Sequence, residues 1–158
     1  MHTPTDEDYA HLLELRTGLR RFLGRSERRA RAAGLTPAQH QLLLAIRGHG
    51  EPQGPTISQA ADYLQLRHNS AVELVDRAVG AGLVTREPDA VRSSVVRLRL
   101  SDAGQTALAA LSQLHLDELA HLAPAMRTLL ASFVDDTSAS GRDEHGARSG
   151  ASGTAPTL

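Results

Sequence analysis

Between Gly80 and Leu100 the apolar pattern changes period, and this change constrains the fold more than any other feature of the chain. Before it, apolar residues recur at three- and four-residue steps, the spacing of a helix face. After it, Val96-Arg97-Leu98-Arg99-Leu100 alternates strictly, so Arg97 and Arg99 are expected on one face of a strand. Leu83 to Arg86 reads as the partner strand, with Pro88 to Ser93 as the hairpin loop. The expected class is therefore mainly α (α+β), with one small hairpin among helices.

The helices follow from stripes and stop signals. Tyr9 to Ala33 reads as one long helix, with Leu12, Leu15, Leu19, Phe22, Leu23 and Ala30 on a single stripe. Gly34 ends it, and Thr36 with Pro37 opens a second helix that carries Leu42, Leu43, Leu44 and Ile46 to about Gly48. His49 to Pro55 is rich in Gly and Pro and reads as a loop. Ser58 is the expected cap of a short helix to Leu64, Gln65 to Arg67 make a turn, and His68 to Gly80 form the next helix. Ser101 caps a long helix to about Leu122 with Leu108, Leu111, Leu119 and Leu122 on its stripe. Pro124 is expected to break that helix, leaving Ala125 to Val134 as a separate last one.

The 158 residues suit one domain with a substantial core. The expected layout is a flexible stretch at 1–8, a domain at 9–136 and a disordered, Gly/Ser-rich tail at 137–158. With no cysteine there is no disulfide, thiolate metal site or thiol switch. No apolar run approaches a membrane span and Met1 to Ala10 is polar and acidic, so a soluble cytoplasmic protein with no membrane partner is expected. The net charge is -1, but it is unevenly placed: Arg16 to Arg31 holds seven arginines against one acid, Glu27. Such asymmetry makes the local field matter more than the total. That arginine-rich arc either contacts phosphate or keeps a helix soluble, and the sequence leaves both open.

Helix, tight turn, helix and hairpin, in this order, make a winged helix-turn-helix. At about 100° per residue, Ala71, Val72, Val75, Ala78 and Val79 gather on one side of the helix from His68 to Gly80. Asn69, Ser70, Glu73 and Arg77 gather on the other. Asn suits adenine, Glu the cytosine amine, Arg guanine or phosphate, and Ser any of these. A surface ion pair between Glu73 and Arg77 is the plainer alternative, and the order of elements favours base reading. With Ser58, Arg67 and His68 at the two helix starts, and Arg86, Arg92, Arg97 and Arg99 in the hairpin, these residues are the candidate DNA-binding set.

Four runs carry a family resemblance: Thr56 to Leu64 (TISQAADYL), Leu66 to Arg77 (LRHNSAVELVDR), Gly82 to Arg86 (GLVTR) and Leu100 to Gly104 (LSDAG). Together they resemble the MarR family of bacterial regulators, over Tyr9 to about Val134. The pairing of Val75-Asp76-Arg77 with Gly82-Leu83-Val84 is the most specific part. The resemblance implies a DNA-binding lobe at about 36–101 and dimerisation helices at about 9–33 and 102–135. It implies a homodimer on double-stranded DNA at a pseudo-palindromic operator, usually a repressor relieved by a small-molecule effector. One departure stands out. The acid and arginine that the family carries shortly before its second wing strand are replaced by Arg92, Ser93 and Ser94. Arg92 is either the substitute for the missing arginine or a solvated loop residue, and the sequence leaves both open.

Other chemistries have less behind them. His115 and His121 flank Asp117 and Glu118, yet no His-Glu-x-x-His pattern exists and cysteine ligands are absent, so no metal is expected. No nucleophile elbow, phosphate loop or dinucleotide glycine pattern is present, so no cofactor and no enzymatic activity are expected. Arg47, His40 and Tyr63 are candidates for an effector pocket, but spacing alone assigns no ligand site. The competing function is a protein-interaction module on the same winged scaffold without DNA binding.

Overall fold

The computed structural model describes residues 4–139. Its elements run α1 (Asp6–Ala32), α2 (Pro37–Gly48), α3 (Ile57–Leu64), α4 (His68–Gly80), β1 (Val84–Pro88), β2 (Val96–Leu100) and α5 (Asp102–Ala139). The chain divides into two compact units, one of them Leu19 to Leu119. That unit holds the helix-turn-helix, the hairpin and the core.

In the other unit, α1 starts at Asp6, three residues before the expected start at Tyr9. Thr5 and Asp8 cap it reciprocally: Asp8 N–H donates to Thr5 Oγ1 at 3.3 Å and Thr5 N–H to Asp8 Oδ2 at 2.7 Å. Asp6, Glu7 and Asp8 also place negative charge at the positive end of the helix. The expected flexible start therefore extends helix instead, as far as Asp6; residues 1–3 lie outside the described ones.

Within Leu19–Leu119, α2 begins as expected at Thr36, which accepts from Gln39 N–H while Gln39 Oε1 accepts from Thr36 N–H. The cap of α3 differs from the expectation: it is Thr56, not Ser58. Gln59 decides the matter, because a capping box needs a Gln or Glu three residues after the cap, and Gln59 is three after Thr56. Gln65 closes α3 in the left-handed region at φ 55° and ψ 38°, its N–H turned back to Ala61 and Asp62. That conformation makes the tight turn into α4.

The core joins Leu42, Leu43 and Ile46 of α2, Ala60 of α3, Leu74, Val75 and Ala78 of α4, Val84 and Leu98 of the hairpin, and Leu108 and Leu111 of α5. Burial of several such side chains at about 1.5–3 kcal/mol each holds the unit together. Leu74 belongs to this face although the sequence reading omitted it, and Val72 is only half-buried.

The hairpin pairs Val84 with Leu100 through Pro88 with Val96, antiparallel. Thr56 adds a bridge to Arg97, and Leu98 N–H donates to the Pro55 carbonyl at 2.8 Å, so the loop before α3 lies along β2. Gly54 permits this approach. Its φ is +79°, and a Cβ there would collide with the Leu98 carbonyl. At Gly104 too a Cβ would collide, here with the Leu83 carbonyl, so glycine lets the first turn of α5 approach the residue that leads into β1.

Two expectations about the C-terminal region change. Pro124 lies inside α5, which runs unbroken from Asp102 to Ala139 in place of two helices. The missing N–H and ring crowding are local to one turn, and Ala and Leu around it are strong helix formers. Residues 137–139 are helical too, and the rest of the expected tail lies outside the described residues. Among the described residues no helix is long and apolar enough to cross a membrane.

Candidate nucleic-acid interface

The tight turn at Gln65 presents α4 with two unlike faces. Ala71, Leu74, Val75 and Ala78 are buried, whereas Arg67, His68, Asn69, Ser70, Glu73, Asp76 and Arg77 are exposed. Small inner residues allow close packing on α3, and the outer face is left polar. Arg67 is the N-cap of α4 and its side chain makes no capping bond, so the first-turn N–H groups have no side-chain partner there. Ser58 on α3 meets this end of α4, its Oγ 3.4 Å from His68 Nδ1. Glu73 and Arg77 stand 4.0 Å apart with both side chains mostly in solvent, a loose contact that leaves each able to reach a partner.

The hairpin arginines divide sharply. Arg92 is exposed in the turn between the strands. Arg86 reaches back to α4 and donates to Asp76 Oδ1 at 2.6 Å. Arg99 is exposed, 3.5 Å from Glu87 and donating to the Pro52 carbonyl at 3.1 Å. Arg97 is not a surface residue. It is 8% exposed, its Nε donates to Asp89 Oδ2 at 2.7 Å, and its Nη1 donates to Glu51 Oε2 and the Gly54 carbonyl, each at 3.1 Å. Arg97 and Arg99 do share one face of β2, both donating to carbonyls of the 52–54 loop, but the burial of Arg97 takes it out of the expected DNA-contacting set. The loop from Glu51 to Pro55 covers that side of β2, and covering a guanidinium requires the acids that surround it.

Asp89 is the residue that sequence reasoning missed. Besides Arg97, it accepts the N–H groups of Val91 and Arg92 on Oδ1, each at 2.9 Å. Those backbone bonds, and then Arg97, hold its carboxyl down to a pKa of about 2, although its burial opposes this. An acid thus organises the turn that bears Arg92, three residues before the place where the family pattern would put it. The sequence signal was present: an Asp commonly accepts backbone N–H groups two residues on. Gln53 adds to the turn by accepting Ala90 N–H at 2.8 Å.

Behind the interface an apolar cleft of about 810 Å³ opens among residues of α1, α2, α3 and α5. His40 and Tyr63 line it, as expected of effector-pocket candidates, together with Phe22, Leu23, Leu44 and His115. Arg47 does not; it lines a smaller cleft beside β2. The His40 and His115 rings lie 5.1 Å apart, with Phe22 edge-on to His115 at 6.0 Å. Burial lowers the pKa of both imidazoles; His115 lowers that of His40 further, and Arg29 that of His115, against an opposing pull from Glu118. Part of the arginine-rich arc of α1 is thereby accounted for. Arg25 and Arg29 pair with Glu118 at 2.7 and 3.0 Å, tying α1 to α5. Among the described residues, no group of three or more His, Asp or Glu could hold a metal ion.

Residues 33–92 match the model of the MarR family. Solved structures share the fold at low identity. A MarR-family transcription regulator superposes at a TM-score of 0.66 with 20% identity, over 87% of this chain and 95% of its own. MepR, a transcription regulator of the Staphylococcus aureus multidrug efflux pump MepA, gives 0.65 with 17% identity over 83% and 97%. The transcriptional repressor CouR, bound to a 23-mer DNA duplex, gives 0.60 with 24% identity over 87% and 99%. No curated protein matches the sequence.

Proposed function

We propose that this chain, whose residues 33–92 match the MarR-family model, is a DNA-binding transcription regulator of that family: a homodimeric repressor of a pseudo-palindromic operator, relieved by a small ligand. The observation that carries this reading is the exposed row Asn69, Ser70, Glu73 and Arg77 on α4, with the Arg92 turn of the hairpin as its companion. Such a helix enters a major groove while a wing contacts the adjacent backbone or minor groove. CouR and MepR, of the same fold, have been seen bound to DNA, which supports the same use here.

Leu12, Leu13, Leu19 and Leu23 on α1, and Leu114, Leu116 and Leu119 on α5, are exposed in the single chain. Isolated apolar side chains on a surface are ordinary, but this many on the first and last helices favour burial by a second copy. The two α4 helices would then stand about 34–36 Å apart, facing successive major grooves. The apolar cleft with its pair of neutral imidazoles supports the ligand part of the reading.

The test is a gel shift with the intergenic DNA flanking the protein's own gene, run across a salt series beside random DNA. Tight binding to one fragment that falls steeply with salt is the expected result. Absence of binding at low salt would overturn the regulator and favour the protein-interaction module. Light scattering that finds a stable folded monomer at micromolar concentration would overturn the dimer.

A further inference from the structure

The wing turn and the apolar cleft stand at two ends of one line of polar side chains. At the cleft, the Tyr63 hydroxyl lies 2.9 Å from His49 Nδ1. The His49 side chain is only 7% exposed, and its Nε2 is buried without a hydrogen-bond partner. Glu51 Oε1 is 4.0 Å from that nitrogen, while Oε2 of the same carboxylate accepts from Arg97. Arg97 then donates to Asp89, whose other oxygen holds the Val91 and Arg92 amides. Every joint is a short hydrogen bond except the one between His49 and Glu51.

That open joint has two states, set by Tyr63. A neutral imidazole carries one proton, and the bond at one nitrogen fixes what the other presents. When the phenol hydroxyl donates to Nδ1, the proton sits on Nε2 and faces the Glu51 carboxylate, an attraction that keeps Glu51 beside Arg97. When the hydroxyl is drawn to another acceptor, Nδ1 carries the proton and donates to the phenol oxygen. Nε2 then turns a lone pair toward the carboxylate, and the two repel. The change releases one proton from Nε2 to solvent and takes one from solvent at Nδ1, so net charge is unchanged. Tyr63 is 57% exposed, so its hydroxyl is open to a competing acceptor.

We propose that Tyr63, His49 and Glu51 form a tautomer relay, through which an apolar cleft occupant bearing a hydrogen-bond acceptor loosens the Arg97–Asp89 hold on the wing turn. The inference rests on the cleft being a ligand site, but the relay itself is testable without ligand or DNA. Two-state behaviour at one element, biased from both ends, is what physical coupling between distant sites requires.

The experiment is nitrogen NMR of the full-length protein with amide exchange, on wild type, Tyr63→Phe, Glu51→Gln and the double variant. In the wild type His49 should carry its proton on Nε2. Tyr63→Phe removes only the hydroxyl; it should weaken that preference, which Glu51 alone then supports, and make the Val91 and Arg92 amides exchange roughly tenfold faster. The double variant should exchange no faster than the faster single one, since both break one chain. Unchanged exchange at Arg92 in Tyr63→Phe, or additive effects, would overturn the relay. Unchanged protection at Leu43 and Val75 verifies in every case that the core is intact. Failure of DNA binding in the gel shift would leave these observables untouched, so the two readings fail separately.

Discussion

The Asp76 carboxylate and the Arg86 guanidinium meet at 2.6 Å, joining the outer face of α4 to the first strand of the hairpin. Asp76 belongs to the run that carries the most specific family resemblance, and Arg86 lies two residues beyond its Gly82-Leu83-Val84 partner. Both are partly in solvent, 56% and 34% exposed, so the pair contributes at most about 1 kcal/mol to folding. Its consequence is electrostatic: Asp76 is an acid on the face proposed to meet DNA, and it occupies a cation. Asp76→Asn should leave the melting temperature nearly unchanged while freeing Arg86. Binding to random DNA should strengthen, and the slope of log K against log salt should steepen by about one unit. Fluorescence anisotropy on a random duplex at several salt concentrations checks this, and an unchanged slope would show that Arg86 has no phosphate within reach.

Sequence preference should reside in Asn69, Ser70 and Glu73. All three are exposed on α4 opposite Leu74 and Val75, and none contributes to the core. Asn69→Ala or Glu73→Ala should cost roughly 1–3 kcal/mol at particular base pairs and relax discrimination there. Competition binding against operator variants with single base changes measures it. Equal losses on operator and random DNA would reassign these residues to backbone contact.

The fold was legible where one local signal outweighed its rivals. Gly34, Thr36 with Pro37, the Gln65 to Arg67 turn and Ser101 each mark a helix boundary through backbone chemistry that operates within a few residues. Ser58 misled because Thr56, two residues earlier, offers an equal hydroxyl, and only the Gln59 spacing separates them. Arg97 misled for a different reason. Alternation along a strand predicts which side chains share a face, but not that the Glu51 to Pro55 loop will cover that face. Asp89 escaped because the family pattern drew attention to Arg92, Ser93 and Ser94, while the acid that holds the turn lies upstream. Contacts across 40 residues of chain, such as Glu51 with Arg97, have no periodic trace in the sequence.

Acid should weaken the packing around the cleft. His40 and His115 both have folded pKa values below the ordinary 6.5, chiefly through burial. The unfolded chain therefore takes up protons first as the pH falls, and stability declines below about pH 6.5 until the folded-state values are reached. Melting temperatures measured from pH 8 to pH 5 should fall toward the acid end. His40→Gln, which cannot charge, should flatten that fall. It also removes one of the two mutually repelling imidazoles, so the remaining dependence should reflect His115. A profile that is the same in the variant would show that the pair is not what titrates.

The wing arginine can be isolated from its neighbours because the structure has removed two of its rivals. Arg97 is enclosed by Asp89 and Glu51, and Arg86 is engaged by Asp76, so Arg92 is the exposed cation in the turn itself. Asp89 fixes the backbone on which it sits, which lowers the ordering cost of placing a guanidinium against DNA. A narrow minor groove concentrates negative potential and draws in such an arginine without a full base code. Arg92→Ala should therefore weaken operator and random DNA alike and flatten the log K against log salt slope by about one unit. That signature differs from the recognition-helix variants, which lose discrimination and keep the slope. It also has the opposite sign to Asp76→Asn, so the two can be measured side by side on one duplex. Unchanged affinity and slope in Arg92→Ala would move the wing contact to Arg99, which is exposed although it donates to the Pro52 carbonyl and faces Glu87.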